Sequence, residues 1–279
     1  RAVALLAQND VFASDVPDRL PLKKDPLPVI TVPVGPSMGE ESTPAFSIFD
    51  PNSKEAFFAS APRLYPALII IDTNISMSRS INEISHSTIA VMSAAIEAIL
   101  SKNSNEITNS IALRALELVT RNILTLMSDP ANHAARMNLS MSSMLCGMAH
   151  SNSALGLGYS IASAISNLTR LDFFMGMAIL QPHIMEYNLT TSAGKYVQIA
   201  RALDEDIKDF TVIEAAIKAV EGVRKIYLEL KIPQRLSEFE IAKADLPDIA
   251  EQAVHMPMTK NSPRELNRNE IETILIAAY

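Results

Sequence analysis

Metal ligation and nucleophilic attack are the two chemistries that this chain's reactive side chains could support, and the candidates are few: five histidines and one cysteine in 279 residues. His86, His133, His150, His183 and His255 stand well apart, and His133 and His255 lie in polar surroundings that predict exposed positions. For an isolated histidine, a hydrogen-bonded or solvated ring outweighs a ligand role. Cys146, in the run MLCGMA, reads as a small buried apolar residue. With no second cysteine there is no internal disulfide, which suits a reducing cytosol. A glycine-rich turn that could cradle a pyrophosphate on backbone N–H groups is missing, since the chain has only eight glycines.

Any such residues must be positioned by two successive architectures. Up to about residue 75 the chain carries short Pro-punctuated segments rich in Ile and Val, LPVITVPV, AFSIFD and ALIIID, which predict three strands. From about residue 80 apolar residues recur at spacings of three and four, as in IAVMSAAIEAIL, IALRALELVTRNILTLM and FTVIEAAIKAVEGVRKIYLEL, which predicts helices. Asp129 before Pro130 predicts one helix start, the acidic run DEDIKD another, and Asn267 the last. GYSIASAISNLTRLDFFMG reads as a helix, a loop and the start of a second helix. The expected organisation is an α/β segment over 1–75 followed by an all-helical domain over 76–279. The 13 methionines cluster on the helical faces as adaptable core filler.

Composition narrows the function classes. An apolar share of 48% supports a sizeable core, and a chain of this size buries about three quarters of the surface it exposes when unfolded. The net charge of −7 is spread along the chain without a basic stripe, so a nucleic-acid partner is not expected. No apolar run reaches about 18 residues uninterrupted, and no membrane partner is expected. RAVALLAQND opens on a helical run, as if the chain were cut inside a helix.

RAVALLAQND, LPVITVPVGPSMGEESTPAFSIFD, ALIIIDTN, INEISHSTIA, GMAHSNSALGLGYSIA, MAILQPHIMEYN, IPQRLSEF and SPRELNRNEIETILIAAY resemble, in order and from end to end, the iron-containing (group III) alcohol dehydrogenases. The resemblance implies a dehydroquinate-synthase-like architecture, an α/β domain holding NAD or NADP followed by a mostly helical domain holding a divalent metal. It also implies a small alcohol or aldehyde substrate in the cleft between the domains, a cytoplasmic location and a homo-oligomer.

The same resemblance marks positions. The family's Gly-Gly-Gly-Ser phosphate turn would precede Arg1. Its second cofactor loop falls on VGPSMGEE, where Gly39, Glu41 and the following Thr43 fit but Val34 and Gly35 replace paired threonines. The family's metal is held by an Asp and a His four apart on one helix, then by two further His. Placed on INEISHSTIA, the first pair is Asn82 and His86, with the segment joining IDTN to INEISH shorter than the family's. The later two positions hold Tyr159 and Phe173, and a further family His near substrate is Ser163. His86 is then the one matching ligand, too few to hold iron or zinc, so no bound metal is expected. His86 and Tyr159 are expected to approach each other across the former metal cavity. Two functions stay open: an NAD(P)-dependent alcohol or aldehyde oxidoreductase, and a non-catalytic family member acting as a structural subunit or binding protein.

Overall fold

A computed structural model of the chain describes residues 1–9, 24–50 and 55–279, with the side chains of 48–50 and 55–58 outside the description. The first resembling segment therefore passes out of the described residues at its last position, residue 10.

The N-terminal part is α/β in character. Helix α1 (Ala2–Leu6) is followed by strand β1 (Ile30–Thr31), hairpin strands β2 (Ala45–Asp50) and β3 (Glu55–Ser60), and β4 (Leu68–Ile69). β1 and β4 pair in parallel, Ile30 opposite Leu68, while β2 and β3 pair antiparallel, Ala45 opposite Ser60. Three strands were expected and four are present among the described residues. The added one, EAFFAS, lacks the Ile and Val that mark the others and is held by cross-strand pairing with β2.

Helices dominate from residue 73: α2 (Thr73–Ser76), α3 (Ile81–Leu100), α4 (Glu106–Ser128), α5 (His133–Ser153), α6 (Leu157–Leu168), α7 (Phe173–Asn188), α8 (Ala193–Ala202), α9 (Val212–Glu229), α10 (Leu246–His255) and α11 (Arg268–Ala278). Capping boxes start four of them, pairing Ser80 with Glu83, Asn105 with Thr108, Thr211 with Glu214 and Asn267 with Glu270. The start expected at Asp129 is corrected: Asp129 ends α4, and Asn132 caps α5 by accepting from Ala135 N. Its side chain sits where it can reach an orphan N–H of the first turn.

At the centre is α3, packed by α4, α5 and α7. Residues 87–101 are all buried, and Ala90, Ala94, Ala95 and Ala98 let neighbouring helices approach closely. α3 meets the length of a bilayer span and has a mean hydropathy of 1.2, yet 89% of that window is buried inside the protein, so it is a core helix.

The link from α5 to α6 is strained. Ala154 adopts φ 64°, ψ 158°, a region that an L side chain seldom occupies, while its N–H donates to His150 O at 2.7 Å. Ala154→Gly is expected to stabilise the chain by about 1 kcal/mol, strain relief exceeding the added freedom of the unfolded state. Urea unfolding would show a raised midpoint; an unchanged or lowered one would contradict the assignment of strain.

Candidate functional site

The most constrained side chain in the helical domain is one that motif reasoning passed over. Glu97 on α3 is 5% exposed, and its carboxylate accepts the N–H groups of Gly156 (3.1 Å), Gly158 and Tyr159 (3.2 Å) at the start of α6. Orphan N–H groups and the positive end of the helix dipole meet a carboxylate there. Glycine is required at 158, because a Cβ would lie 2.7 Å from Glu97 Oε1. Burial pushes the Glu97 carboxyl above the usual carboxylate range, and the three N–H bonds oppose that rise. The available signal was a single acidic residue inside the small and apolar run AAIEAIL.

That contact fixes which face of α3 looks toward α6. Residues three and seven positions before Glu97 share its stripe, and these are Ala94 and Ala90, four apart and fully buried. On the other wall Tyr159 and Phe173 meet edge to face, ring centroids 5.2 Å apart at 69°. Tyr159 also interacts with Ser163, one turn along, and burial raises its phenol pKa.

Asn82 and His86 are exposed on the opening turns of α3, and His86 lines a surface depression with Arg170, Asp172 and Phe239. Tyr159 lines a different cavity, and the two cavities share no lining residue. Asp172 does not substitute as a ligand, for its Oδ1 caps α7 by accepting from Phe174 N and Met175 N.

The donor set fails as a metal site. Phe173 offers no donor and Tyr159 only a neutral phenol, and among the described residues no group of three His, Cys, Asp or Glu converges. Iron, the metal implied by the family, does not fit these residues.

A cleft of about 310 Å³ opens beside the aromatic pair, lined by Met38, Glu40, Thr43, Phe46, His150 and Tyr159 among others. Its floor is the loop where cofactor contacts were expected. Gly39 has φ +88° and packs on α5 so closely that a Cβ would lie 2.2 Å from Gly147 N. Ser37 and Ser143 exchange hydrogen bonds of 2.9 Å, and Ser42 Oγ donates to Met144 O. Gly39 thus serves close packing between the two parts of the chain, while Thr43, its hydroxyl donating to Glu40 O at 3.3 Å, faces the cleft.

His150, expected to be an isolated ring, lies in this wall. Its Nε2 is 2.7 Å from Met38 O, so that nitrogen carries the proton and Nδ1 is bare. Of the rest, His133 Nδ1 meets Thr73 Oγ1, His183 lies near Glu186, and exposed His255 meets Glu251. Cys146 is buried and unpaired, its thiol pushed up by burial.

A bundle built on a buried α3, an α/β segment in front of it and a cleft between them define the class. The Fe-containing alcohol dehydrogenase family profile for the C-terminal region matches residues 84–279, and the chain belongs to that family. It is 28% identical to 1,3-propanediol dehydrogenase of Klebsiella pneumoniae over 252 residues, 90% of this chain and 65% of the relative. It is 24% identical to lactaldehyde reductase of Escherichia coli (strain K12) over 281 residues, 100% of this chain and 73% of the relative. The crystal structure of a 1,3-propanediol oxidoreductase superposes with a TM-score of 0.96 at 25% identity, over 100% of this chain and 73% of that one. The chain thus spans 65% of the length of the propanediol dehydrogenase it matches.

Two outcomes follow from this geometry. Glu97→Ala strands three buried N–H groups and is expected to cost at least about 3 kcal/mol in urea unfolding, whereas a loss below about 1 kcal/mol would show that α6 does not depend on the clamp. Burial lowers the His150 pKa, with the Met38 carbonyl and Glu40 acting against it. Its neutral form therefore contributes stability that is present above the unfolded value of about 6.5 and is lost as pH falls below it. His150→Phe should lose less stability than the parent between about pH 7.5 and pH 5.5, and an equal or larger loss would contradict a buried neutral ring.

Proposed function

We propose that this chain is a non-catalytic member of its family, a helical scaffold whose former metal centre is a packed interior and whose cleft remains as a binding pocket for a small molecule. The observation that carries this reading is the edge-to-face pair of Tyr159 and Phe173 at two of the ligand positions that the family resemblance implies, with the first pair read eight positions beyond Asn82 and His86, at the buried Ala90 and Ala94. Four positions that need imidazole or carboxylate hold two methyl groups and two aromatic rings, and an edge-to-face pair contributes about 0.5–1.5 kcal/mol beyond its buried area. Ligand loss with gain of packing is what selection for a fold without selection for a metal would leave.

A second reading, NAD(P)-dependent oxidation of an alcohol or reduction of an aldehyde, is favoured by the retained cleft with Thr43 on its wall and by relatives named as propanediol dehydrogenase and lactaldehyde reductase. It needs hydride transfer without metal assistance, since this donor set supplies none. Gly39 and Thr43 would then border the dinucleotide. A cytoplasmic location and a homo-oligomer belong to both readings, supported by the lone buried Cys146 and by Ile213 and Ile217, exposed four apart on α9, with Phe210 exposed just before that helix.

The readings separate in one assay. Protein carrying this chain is incubated with NAD or NADP and propane-1,3-diol, with and without added iron(II) or zinc. No cofactor reduction above a no-enzyme control is expected in any arm. Turnover that rises with either metal would refute the proposal, and metal-indifferent turnover would establish the second reading.

A further inference from the structure

The cleft of about 310 Å³ carries a charge that the fold does not use. Glu40 is the one acidic side chain in its lining, and no Lys or Arg lines it. Glu40 is exposed, its carboxylate accepts from the Ser37 hydroxyl, and it forms no salt bridge among the described residues. The Arg1 guanidinium lies close by but donates to the Glu40 main-chain oxygen, and it does not line the cleft. Burial acts most on the Tyr159 and His150 pKa values, yet the Glu40 charge reaches both and favours their protonated forms. Its field therefore extends through the cleft. Aromatic and thioether side chains make up much of the remaining wall, Phe46 and Tyr159 with Met38 and Met258.

Resting on the reading of the cleft as a binding pocket, we infer that its ligand is a small organic cation, a quaternary or protonated amine, with its charge beside the Glu40 carboxylate and its methyl or methylene groups against Phe46, Tyr159, Met38 and Met258. A carboxylate and aromatic rings attract a positive charge together, and thioethers add polarisable apolar contact. The bare Nδ1 of His150 offers an acceptor for a hydroxyl on the same ligand. At about 310 Å³ the cleft stands at the small end of ligand pockets, with room for one such molecule. A dinucleotide suits this wall less well, because its pyrophosphate would meet a carboxylate and no Lys or Arg.

Isothermal titration calorimetry on protein carrying this chain compares choline with 3,3-dimethylbutan-1-ol, an uncharged isostere of the same shape. Choline is expected to bind at least about tenfold more tightly than the isostere, the ion pair and the aromatic contact acting together. Glu40→Gln should remove most of that preference, and Phe46→Leu should weaken choline more than the isostere. Equal affinities for the two compounds, or a preference that survives Glu40→Gln, would overturn the cation inference and leave the cleft a binding pocket. Binding of neither compound, with NAD bound in their place, would overturn both. Oxidation of choline by NAD would refute the non-catalytic reading while supporting the choice of a cationic ligand.

Discussion

The helical domain depends on one buried carboxylate meeting the start of one helix. Glu97 is carried by the central helix, and through the N–H groups of Gly156, Gly158 and Tyr159 it sets where α6 begins and how it faces α3. The contact satisfies groups that would otherwise be orphaned in a dry interior. Everything near the former metal cavity inherits its position from there. Tyr159 is itself one of the three donors, and Ala94 and Ala90 lie on the Glu97 stripe, so moving Glu97 would move both walls of the cavity.

Close packing explains how such a frame can persist while its ligands change. The demands on Gly158, which has no room for a Cβ beside Glu97, and on Gly39, pressed against Gly147, are steric and hold with or without a metal. Ligand positions carry no such demand once metal binding is not selected. The same chain keeps an open cleft of about 310 Å³ with Tyr159 on its wall.

Much of the fold was legible because its signals are local. The period of the apolar residues placed the long helices, and Asn267 announced α11 by its capping chemistry. Strand β3 was missed because EAFFAS owes its form to pairing with β2, a tertiary cause. The helix start expected at Asp129 failed because Asn132, three residues on, offered the better reach to a free N–H. At the site, Tyr159 and Phe173 were found by following α6 and α7 from a fixed motif. The first pair is the part that residue types leave open, because INEISH contains a histidine and IAVMSAAIE, where the proposed function reads the pair, contains none. Glu97 was invisible to any search for ligands, since its partners are backbone groups.

The central claim is that the interior bounded by Ala90, Ala94, Tyr159 and Phe173 is a packed core and not a metal site. Titration of the purified chain with cobalt(II), followed by visible absorption, tests it most directly, because a protein-held cobalt ion absorbs differently from the hydrated ion. The parent chain should leave the spectrum of hydrated cobalt unchanged, and the variant combining Ala90→Asp, Ala94→His, Tyr159→His and Phe173→His should develop new bands saturating at one ion per chain. A saturable one-to-one spectrum from the parent chain would contradict it.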